Sequence, residues 1–136
     1  MPFPQNNGSP WGEFPFGDLL GIKHVEYSSG HSIVSLNTLK KHLNPMGTVH
    51  GAVTFSLADT GMALALYTSL SQDESLATLE IKITYLNPAK TGILNCSTKV
   101  LHKGHRFAML ESEIIQDEQL IAKASGIYAM YLAKPR

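Results

Sequence analysis

The stretch LNPMGTVHGAVTFSLADTGMALALYTSL, residues 43–70, contains the longest apolar run of the chain. The pattern predicts one long helix over about residues 49–70, because Pro45 and Gly47 end any regular structure before it and the polar loop SQDES follows it. The helix is apolar almost all round, so we expect it to be buried on every side. Several of its residues are small enough for another backbone to approach closely: Ala58, Gly61, Ala63 and Ala65.

Strand patterns lie on both sides of this helix. Two short runs precede it, at about residues 22–27 and 32–37, with the turn signal SSG between them. After it, TLEIKITYL alternates with period two, with Leu79, Ile81, Ile83 and Tyr85 on one face and Thr78, Glu80, Lys82 and Thr84 on the other. Three more strand-like runs follow, which completes a predicted meander of four strands. We therefore predict an α+β fold, in which a long helix is wrapped by an antiparallel sheet of about five to six strands.

Length and charge restrict the class of protein. A chain of 136 residues suits one domain with its own core, which we place at residues 18–136. The net charge is zero, so the chain lacks the basic surplus that nucleic-acid binding or a polybasic membrane patch requires. It has no run of 18 apolar residues and no secretory signal pattern. We expect a cytoplasmic protein with no nucleic-acid partner and no membrane partner.

The N-terminal segment and the cysteine are read as structural features. Residues 1–16 hold four of the seven prolines and most of the phenylalanines, so we predict an irregular arm over residues 1–17 that is neither helix nor central strand. The arm would lie on the body of the protein or on a neighbouring subunit; the alternative is a frayed tail.

The single cysteine, Cys96, excludes an intrachain disulfide, and we interpret it as a small core residue of a strand.

Two polar residues interrupt the apolar helix. Asp59 lies in its middle, where an unpaired buried carboxylate costs on the order of several kcal/mol and is typical of a catalytic site. The alternative is that Asp59 accepts a hydrogen bond from a neighbour such as Thr60 or from a backbone amide. His50 lies at the helix start, where free amides and the helix dipole favour a carbonyl oxygen and Gly51 allows close approach. The alternative for His50 is an indifferent cap or a satisfied interior histidine.

The spacing of these residues constrains any site that uses both. Asp59 follows His50 by nine residues, which places it about 13 Å along the helix axis and on the opposite side. One chain therefore does not bring both to the same reacting atom. If both residues are functional, they act together across a two-fold axis, where the start of one helix meets the middle of the partner helix.

The segment NPMGTVHGAVTFSLADTGMA resembles the hotdog-fold acyl-CoA thioesterases, in particular their phenylacetate-degradation (PaaI-like) branch. That branch has Asn, then Gly, then His-Gly-Gly, then Ala-Asp, which fits Asn44, Gly47, His50, Gly51 and Asp59. The later segments ITYLNPAKTG and HKGHRFAMLESEIIQDEQLIAKASGIYA also resemble the strands of the family, so the resemblance covers about residues 20–132. The chain departs from the pattern once, with an alanine at position 52 in place of the second glycine of His-Gly-Gly.

The resemblance implies a reaction and a role for each matched residue. The Gly51 N–H would polarise the thioester carbonyl, and Asn44, with His50 orienting the neighbourhood, would fix the thioester or the attacking water. Asp59 of the partner subunit would act as general base or as nucleophile. Thr78 matches a position near the water in related enzymes; the alternative is an outward-facing strand threonine. The implied product pair is a free acid and coenzyme A.

The implied substrate contacts lie in three places. We assign to them Gly47, Met62, Lys103, Gly104, His105 and Arg106. The last four form the basic turn KGHR, which suits the phosphates of coenzyme A; the alternative is a solvated hairpin turn. The histidines show no metal-ligand spacing with acids or cysteines, so we predict no metal and no cofactor besides the coenzyme A of the substrate.

Two competing functions share the fold that the resemblance implies. One is a hydratase or dehydratase of acyl thioesters, although those enzymes carry their histidine and acid in a different motif. The other is a non-catalytic acyl-CoA-binding protein, which would have no reason to bury Asp59. The resemblance implies a homodimer, or a dimer of dimers that forms a homotetramer.

Overall fold

The structure is a computed structural model, and it describes residues 12–133. Within these residues, two α-helices, one 3₁₀ turn and six strands follow one another. Their bounds are α1 Pro15–Leu20, β1 Ile22–Ser28, β2 His31–Thr38, the 3₁₀ turn Lys40–His42, α2 Gly51–Tyr67, β3 Glu74–Tyr85, β4 Gly92–Lys103, β5 Phe107–Gln116 and β6 Gln119–Leu132. All strands pair antiparallel in one sheet of order β1-β2-β4-β5-β6-β3, and α2 packs across it. This confirms the predicted α+β class and the single long helix wrapped by a sheet.

The predicted meander of four strands is wrong for its first member. β3 pairs with β6 at the edge of the sheet, whereas β4 pairs with β2. The helix carries the chain from β2 to the far edge, so β3 forms there. The loop of residues 86–91 then returns past the start of α2, where the N–H of Val49 donates to the carbonyl of Ala89 at 2.8 Å. The order of strands therefore follows from the path of α2 and not from sequence adjacency.

Helix α2 approaches the sheet most closely at Gly61. A Cβ atom at this position would lie 2.7 Å from Thr98 Oγ1 and 3.2 Å from Cys96 Sγ, so only glycine fits. Ser32 Oγ donates to the Gly61 carbonyl at 2.7 Å, and the hydroxyls of Thr98 and Ser112 bond each other at 2.6 Å. The close approach therefore leaves polar groups buried but satisfied, which limits their cost. The close approach also explains why small residues are needed on the side of the helix that faces the sheet.

The core lies between α2 and the inner face of the sheet. Its fully buried apolar side chains from the helix are Leu57, Ala58, Met62, Leu64, Ala65 and Leu66, and those from the sheet include Val34, Leu36, Leu94, Cys96, Leu110 and Ile114. The prediction that Cys96 is a core residue is confirmed. The prediction that α2 is buried on every side is wrong for a single chain, because Phe55, Ser56, Asp59, Ala63 and Tyr67 are only half-buried. These five residues form one stripe of the helix surface that the rest of the chain leaves partly uncovered, and we call it the open stripe.

The N-terminal arm was predicted for residues 1–17, and residues 1–11 lie outside the described part of the chain. The expectation that prolines exclude a helix is wrong at Pro15, which is the first residue of α1. Proline is favoured at this position because its missing N–H would have no intrahelical acceptor. Gly21, with φ of 91°, ends the helix in the left-handed region.

Neither α1 nor α2 is long and apolar enough to cross a membrane.

Burial of Cys96 makes the stability of the fold depend on pH. Desolvation raises the pKa of the thiol from 9.0 to about 11, against the smaller opposing effect of hydrogen bonds from Thr98 and Ser112. As the pH rises, the unfolded chain loses this proton first. The contribution of the protonated Cys96 thiol to the free energy of unfolding is therefore complete below about pH 9 and is lost as the pH approaches 11.

We predict that Cys96→Ala flattens the loss of unfolding free energy between about pH 9 and about pH 11. The alanine lowers stability at all pH values because it leaves a cavity, so the slope and not the absolute value is diagnostic. Urea denaturation at several pH values measures it. Equal slopes for the variant and the wild type would contradict the assignment.

Candidate active site

Asp59 lies on the open stripe of α2, and two hydroxyl groups hold one of its carboxylate oxygens. Thr78 Oγ1, from β3, donates to Asp59 Oδ1 at 3.0 Å, and the Tyr128 hydroxyl, from β6, donates to the same oxygen at 2.5 Å. The Tyr128 hydroxyl also lies 3.0 Å from the Asp59 backbone carbonyl oxygen. The partners of the carboxylate are therefore two residues of the sheet, and not Thr60 or a backbone amide.

A β-bulge places Thr78 against Asp59. The register of β3 with β6 shifts between Thr78 and Glu80, so that Thr78 pairs with Tyr128 while Leu79 is the extra residue. Thr78 thereby joins Ile81 on the face that packs against the helix. The predicted alternation, which put Thr78 with Glu80 on the outer face and Leu79 on the inner one, is wrong because period two does not continue through a bulge.

Tyr128 is a site residue that the sequence did not reveal. Its side chain is fully buried, and burial raises the pKa of the phenol, with the negative charge of Asp59 and the hydrogen bond to it adding to the effect. The phenol therefore stays protonated and acts as a hydrogen-bond donor. In the sequence it stands among the alternating apolar residues of GIYAMYL, where a tyrosine is indistinguishable from a core aromatic residue.

A cavity of about 500 Å³ opens beside Asp59 and Thr78. Its wall is formed by α1 and the residues before it, by the open stripe of α2, and by β3. Besides Asp59 and Thr78, the lining residues are Glu13, Phe14, Phe16, Phe55, Ser56, Thr60, Ala63 and Leu76. The aromatic residues of the N-terminal segment thus contribute to the site. The segment was predicted to lie on the body of the protein or on a neighbouring subunit. Which of its residues line the cavity was not predicted.

Met62 was predicted to contact the substrate, and the structure contradicts this. Its side chain is fully buried and lies under β6, where its sulfur would be 2.5 Å from a Cβ atom built at Gly126. Ala63, the next residue, lines the cavity instead. The helical period thus turns position 62 towards the core, and Met62 does not line the cavity.

The loop before α2 forms a second group of candidate residues. Asn44 Oδ1 accepts from the N–H groups of Met46 at 2.9 Å and Thr48 at 3.2 Å, and Asn44 Nδ2 donates to Thr48 Oγ1 at 2.9 Å. Gly47 has φ of 84°, a conformation that glycine adopts at low cost. Within residues 12–133, one amide hydrogen of Asn44 has no acceptor. The loop is therefore a rigid turn that presents a single donor.

The start of α2 presents a further donor. His50 is the N-cap residue, is exposed, and accepts the N–H of Ala52 at its Nδ1 atom at 3.0 Å, which agrees with the cap alternative. The N–H of Gly51, at the first helical position, has no intrahelical acceptor. The Tyr85 hydroxyl donates to the Gly51 carbonyl at 2.9 Å.

Gly51 and Asn44 lie on a second cavity, of about 370 Å³. The other residues around it are Val49, Thr54, Tyr85, Leu86, Asn87, Pro88, Ala89 and Ile121. This cavity shares no lining residue with the one beside Asp59. The structure therefore brings Asp59 together with Thr78, and Asn44 together with Gly51, but keeps the two pairs apart within one chain.

The predicted basic turn lies in the β4–β5 hairpin. Lys103 Nζ donates to the Ser69 carbonyl at 2.8 Å and lies 3.9 Å from Glu74, so its charge is already paired. The N–H of Gly104 closes the hairpin on the carbonyl of Phe107 at 2.8 Å. His105 and Arg106 are exposed. The two side chains that remain for a ligand phosphate are therefore those of His105 and Arg106.

No group of three or more histidine, cysteine, aspartate or glutamate side chains within residues 12–133 is placed to hold a metal ion. The first cavity offers the Asp59 carboxylate with its two hydroxyl donors, and the exposed carboxylate of Glu13 also lines it. The second cavity offers two N–H donors at a helix start.

Comparison with known proteins places this geometry in a family. The model of the thioesterase superfamily matches residues 46–123. The chain is 30% identical over 101 residues to the acyl-coenzyme A thioesterase PaaI of Escherichia coli, with 74% of this chain and 70% of that protein covered.

Solved structures agree with this match. A conserved protein from Pseudomonas aeruginosa superimposes with a TM-score of 0.84 at 34% identity, covering 88% of this chain and 95% of that one. A mutant of the phenylacetic acid degradation protein PaaI from Thermus thermophilus gives a TM-score of 0.80 at 26% identity, covering 85% and 98%. The family model spans more than half of the sequence, and so the chain belongs to the thioesterase superfamily, in its hotdog-fold, PaaI-like branch, and is a thioester hydrolase.

Proposed function

We propose that the protein hydrolyses an acyl-CoA thioester to a free acid and coenzyme A, in a site formed by two protomers. One observation carries this proposal. The carboxylate of Asp59 and the free N–H of Gly51 line different cavities, and both groups are needed for thioester hydrolysis. A partner chain supplies whichever half the first chain lacks.

Two features support a homodimer through β3. This strand forms an edge of the sheet over 12 residues, and an edge strand offers unpaired N–H and C=O groups to a second chain. Large apolar side chains on it and just after it are about half exposed, namely Leu79, Tyr85 and Leu86. Pairing of two β3 edges would extend the sheet and place the open stripes of both α2 helices side by side. A dimer of such dimers would give the homotetramer.

The reaction begins with polarisation of the thioester. The carbonyl oxygen accepts the N–H of Gly51, aided by the helix dipole, which makes the carbonyl carbon electrophilic. The remaining amide hydrogen of Asn44 orients the thioester or the water. His50 acts indirectly, because its cap bond to Ala52 fixes the first turn of the helix.

Asp59 of the partner subunit then acts in one of two ways. As a base, its carboxylate takes a proton from water while the water oxygen bonds to the carbonyl carbon; the carbon–sulfur bond breaks, and the thiolate leaves and receives the proton. As a nucleophile, Asp59 bonds to the carbonyl carbon itself and expels the thiolate, and water hydrolyses the resulting anhydride. Both routes consume one water and need no metal or cofactor, with coenzyme A present only as part of the substrate.

The substrate would extend to both sides of the thioester. The acyl group fits the cavity lined by Phe14, Phe55 and Leu76. The phosphates of coenzyme A would meet the exposed side chains of His105 and Arg106. We further propose a cytoplasmic location, where a protein without disulfides and its acyl-CoA substrate are both stable.

We predict that Asp59→Asn lowers the rate of acyl-CoA hydrolysis by about two or more orders of magnitude. Asparagine keeps an oxygen acceptor for the hydroxyls of Thr78 and Tyr128, so the fold is retained and only the carboxylate chemistry is lost. Release of free thiol from a panel of acyl-CoAs measures the rate. Full turnover by Asp59→Asn, or no thiol release by the wild type from any acyl-CoA, would overturn the proposal. Hydration of an unsaturated acyl-CoA without thiol release would instead favour the hydratase alternative.

We predict that two inactive variants restore each other's activity. Gly51→Pro removes the proposed N–H donor at a helical position that tolerates proline, and it should cost about a hundredfold or more in rate. In a heterodimer of Gly51→Pro with Asp59→Asn, one of the two sites is fully wild type. Random exchange of equal amounts should therefore recover about a quarter of the wild-type specific activity.

Gly51→Ala is the matched control for this mixing experiment. It adds the same Cβ atom, 3.1 Å from the Tyr85 ring, but keeps the N–H. The Gly51→Ala variant should stay active, because it keeps the N–H that polarises the thioester carbonyl. No recovery of activity after verified exchange of subunits would show that both groups act within one chain.

A further inference from the structure

The two carboxylate oxygens of Asp59 are in different environments. Oδ1 accepts both the Thr78 and the Tyr128 hydroxyls. Oδ2 has no hydrogen-bond partner within residues 12–133. Asp59 is half-buried and lines the 500 Å³ cavity, so its second oxygen is the one left for a molecule bound there.

The Tyr128 hydroxyl has a single proton, and two oxygens of Asp59 lie within hydrogen-bond distance of it. The contact to Oδ1 is the shorter, at 2.5 Å against 3.0 Å to the backbone carbonyl oxygen. A hydrogen bond to a charged acceptor is both shorter and stronger than one to a neutral carbonyl. The proton therefore belongs to the bond with Oδ1.

The two donors form one unit of the sheet. Thr78 and Tyr128 are directly paired across β3 and β6, immediately before the bulge at Leu79. Directly opposed residues in an antiparallel pair point to the same face, so both hydroxyls reach Asp59 together. The fully buried ring of Tyr128 gives this pair a fixed position.

We propose that Tyr128 is a positioning residue that selects the reacting oxygen of Asp59: with Thr78 it holds Oδ1, and Oδ2 carries the chemistry. This inference rests on the proposed thioester hydrolysis at Asp59. Tyr128 does not touch the substrate; it acts through the carboxylate. It fixes the rotamer of Asp59, because its hydroxyl and that of Thr78 both bond the same carboxylate oxygen.

Tyr128→Phe is the variant that separates positioning from packing. It keeps the ring and removes only the hydroxyl. In thiol-release kinetics we expect kcat to fall about tenfold or more with little change in KM, because the substrate is bound by other residues and only the hydrogen bond that positions the carboxylate is lost.

Ser112→Ala is the matched control. It removes another fully buried hydroxyl, which bonds Thr98 at 2.6 Å and does not contact the site. Its stability should fall by an amount similar to that of Tyr128→Phe, while its kcat and KM should remain those of the wild type. A Tyr128→Phe enzyme with the wild-type kcat would overturn the positioning role, even where Asp59→Asn is inactive.

A measurement without substrate keeps this inference apart from the proposed function. Crystal structures of the substrate-free wild type and Tyr128→Phe give the side-chain rotamer of Asp59. A carboxylate that has turned away from Thr78 in the variant supports the hold on Oδ1, and an unchanged rotamer with Oδ1 still on Thr78 overturns it. This result stands whether or not any acyl-CoA is hydrolysed, so failure of the activity assay alone would count only against the proposed function.

Discussion

The rise of the α-helix is the constraint on which the site depends. Along α2 it separates Gly51 from Asp59 by about 12 Å, and a helix of 17 residues packed across a sheet does not bend to bring them together. The N–H donor and the carboxylate are therefore fixed in two cavities with no lining residue in common. The proposed reaction would therefore require oligomerisation, since its site needs the start of one helix and the middle of another.

The same helix explains how a carboxylate is kept in an apolar environment. The side of α2 at Gly61 is pressed against the sheet, whereas the side at Asp59 is open in the single chain. The Asp59 carboxylate accepts hydrogen bonds from hydroxyls of β3 and β6. These hydrogen bonds, and not a counter-ion, compensate the free-energy cost of its partial burial. The bulge at Leu79 serves this arrangement, since it turns Thr78 inwards.

Much of the fold could be predicted from the sequence, because periodicity is a local signal. It identified α2, the strands before and after it, and the core position of Cys96. The position of β3 at the sheet edge could not be predicted, since strand order depends on the three-dimensional path of the helix. The bulge at Leu79 was missed because one extra residue leaves no mark in an alternating pattern. Of the site, Asp59 stood out as a charge in an apolar helix, whereas Tyr128 did not stand out from the apolar residues of its strand.

The most direct test of this account is a crystal structure of the protein with a non-hydrolysable acyl-CoA analogue in which a methylene group replaces the thioester sulfur. The account predicts that the ketone oxygen accepts the N–H of Gly51 from one protomer. The Oδ2 atom of Asp59 that faces the ketone carbon, directly or through one water, should come from the other protomer. A complex in which both groups belong to the same chain, or in which the ketone lies away from Gly51, would contradict it.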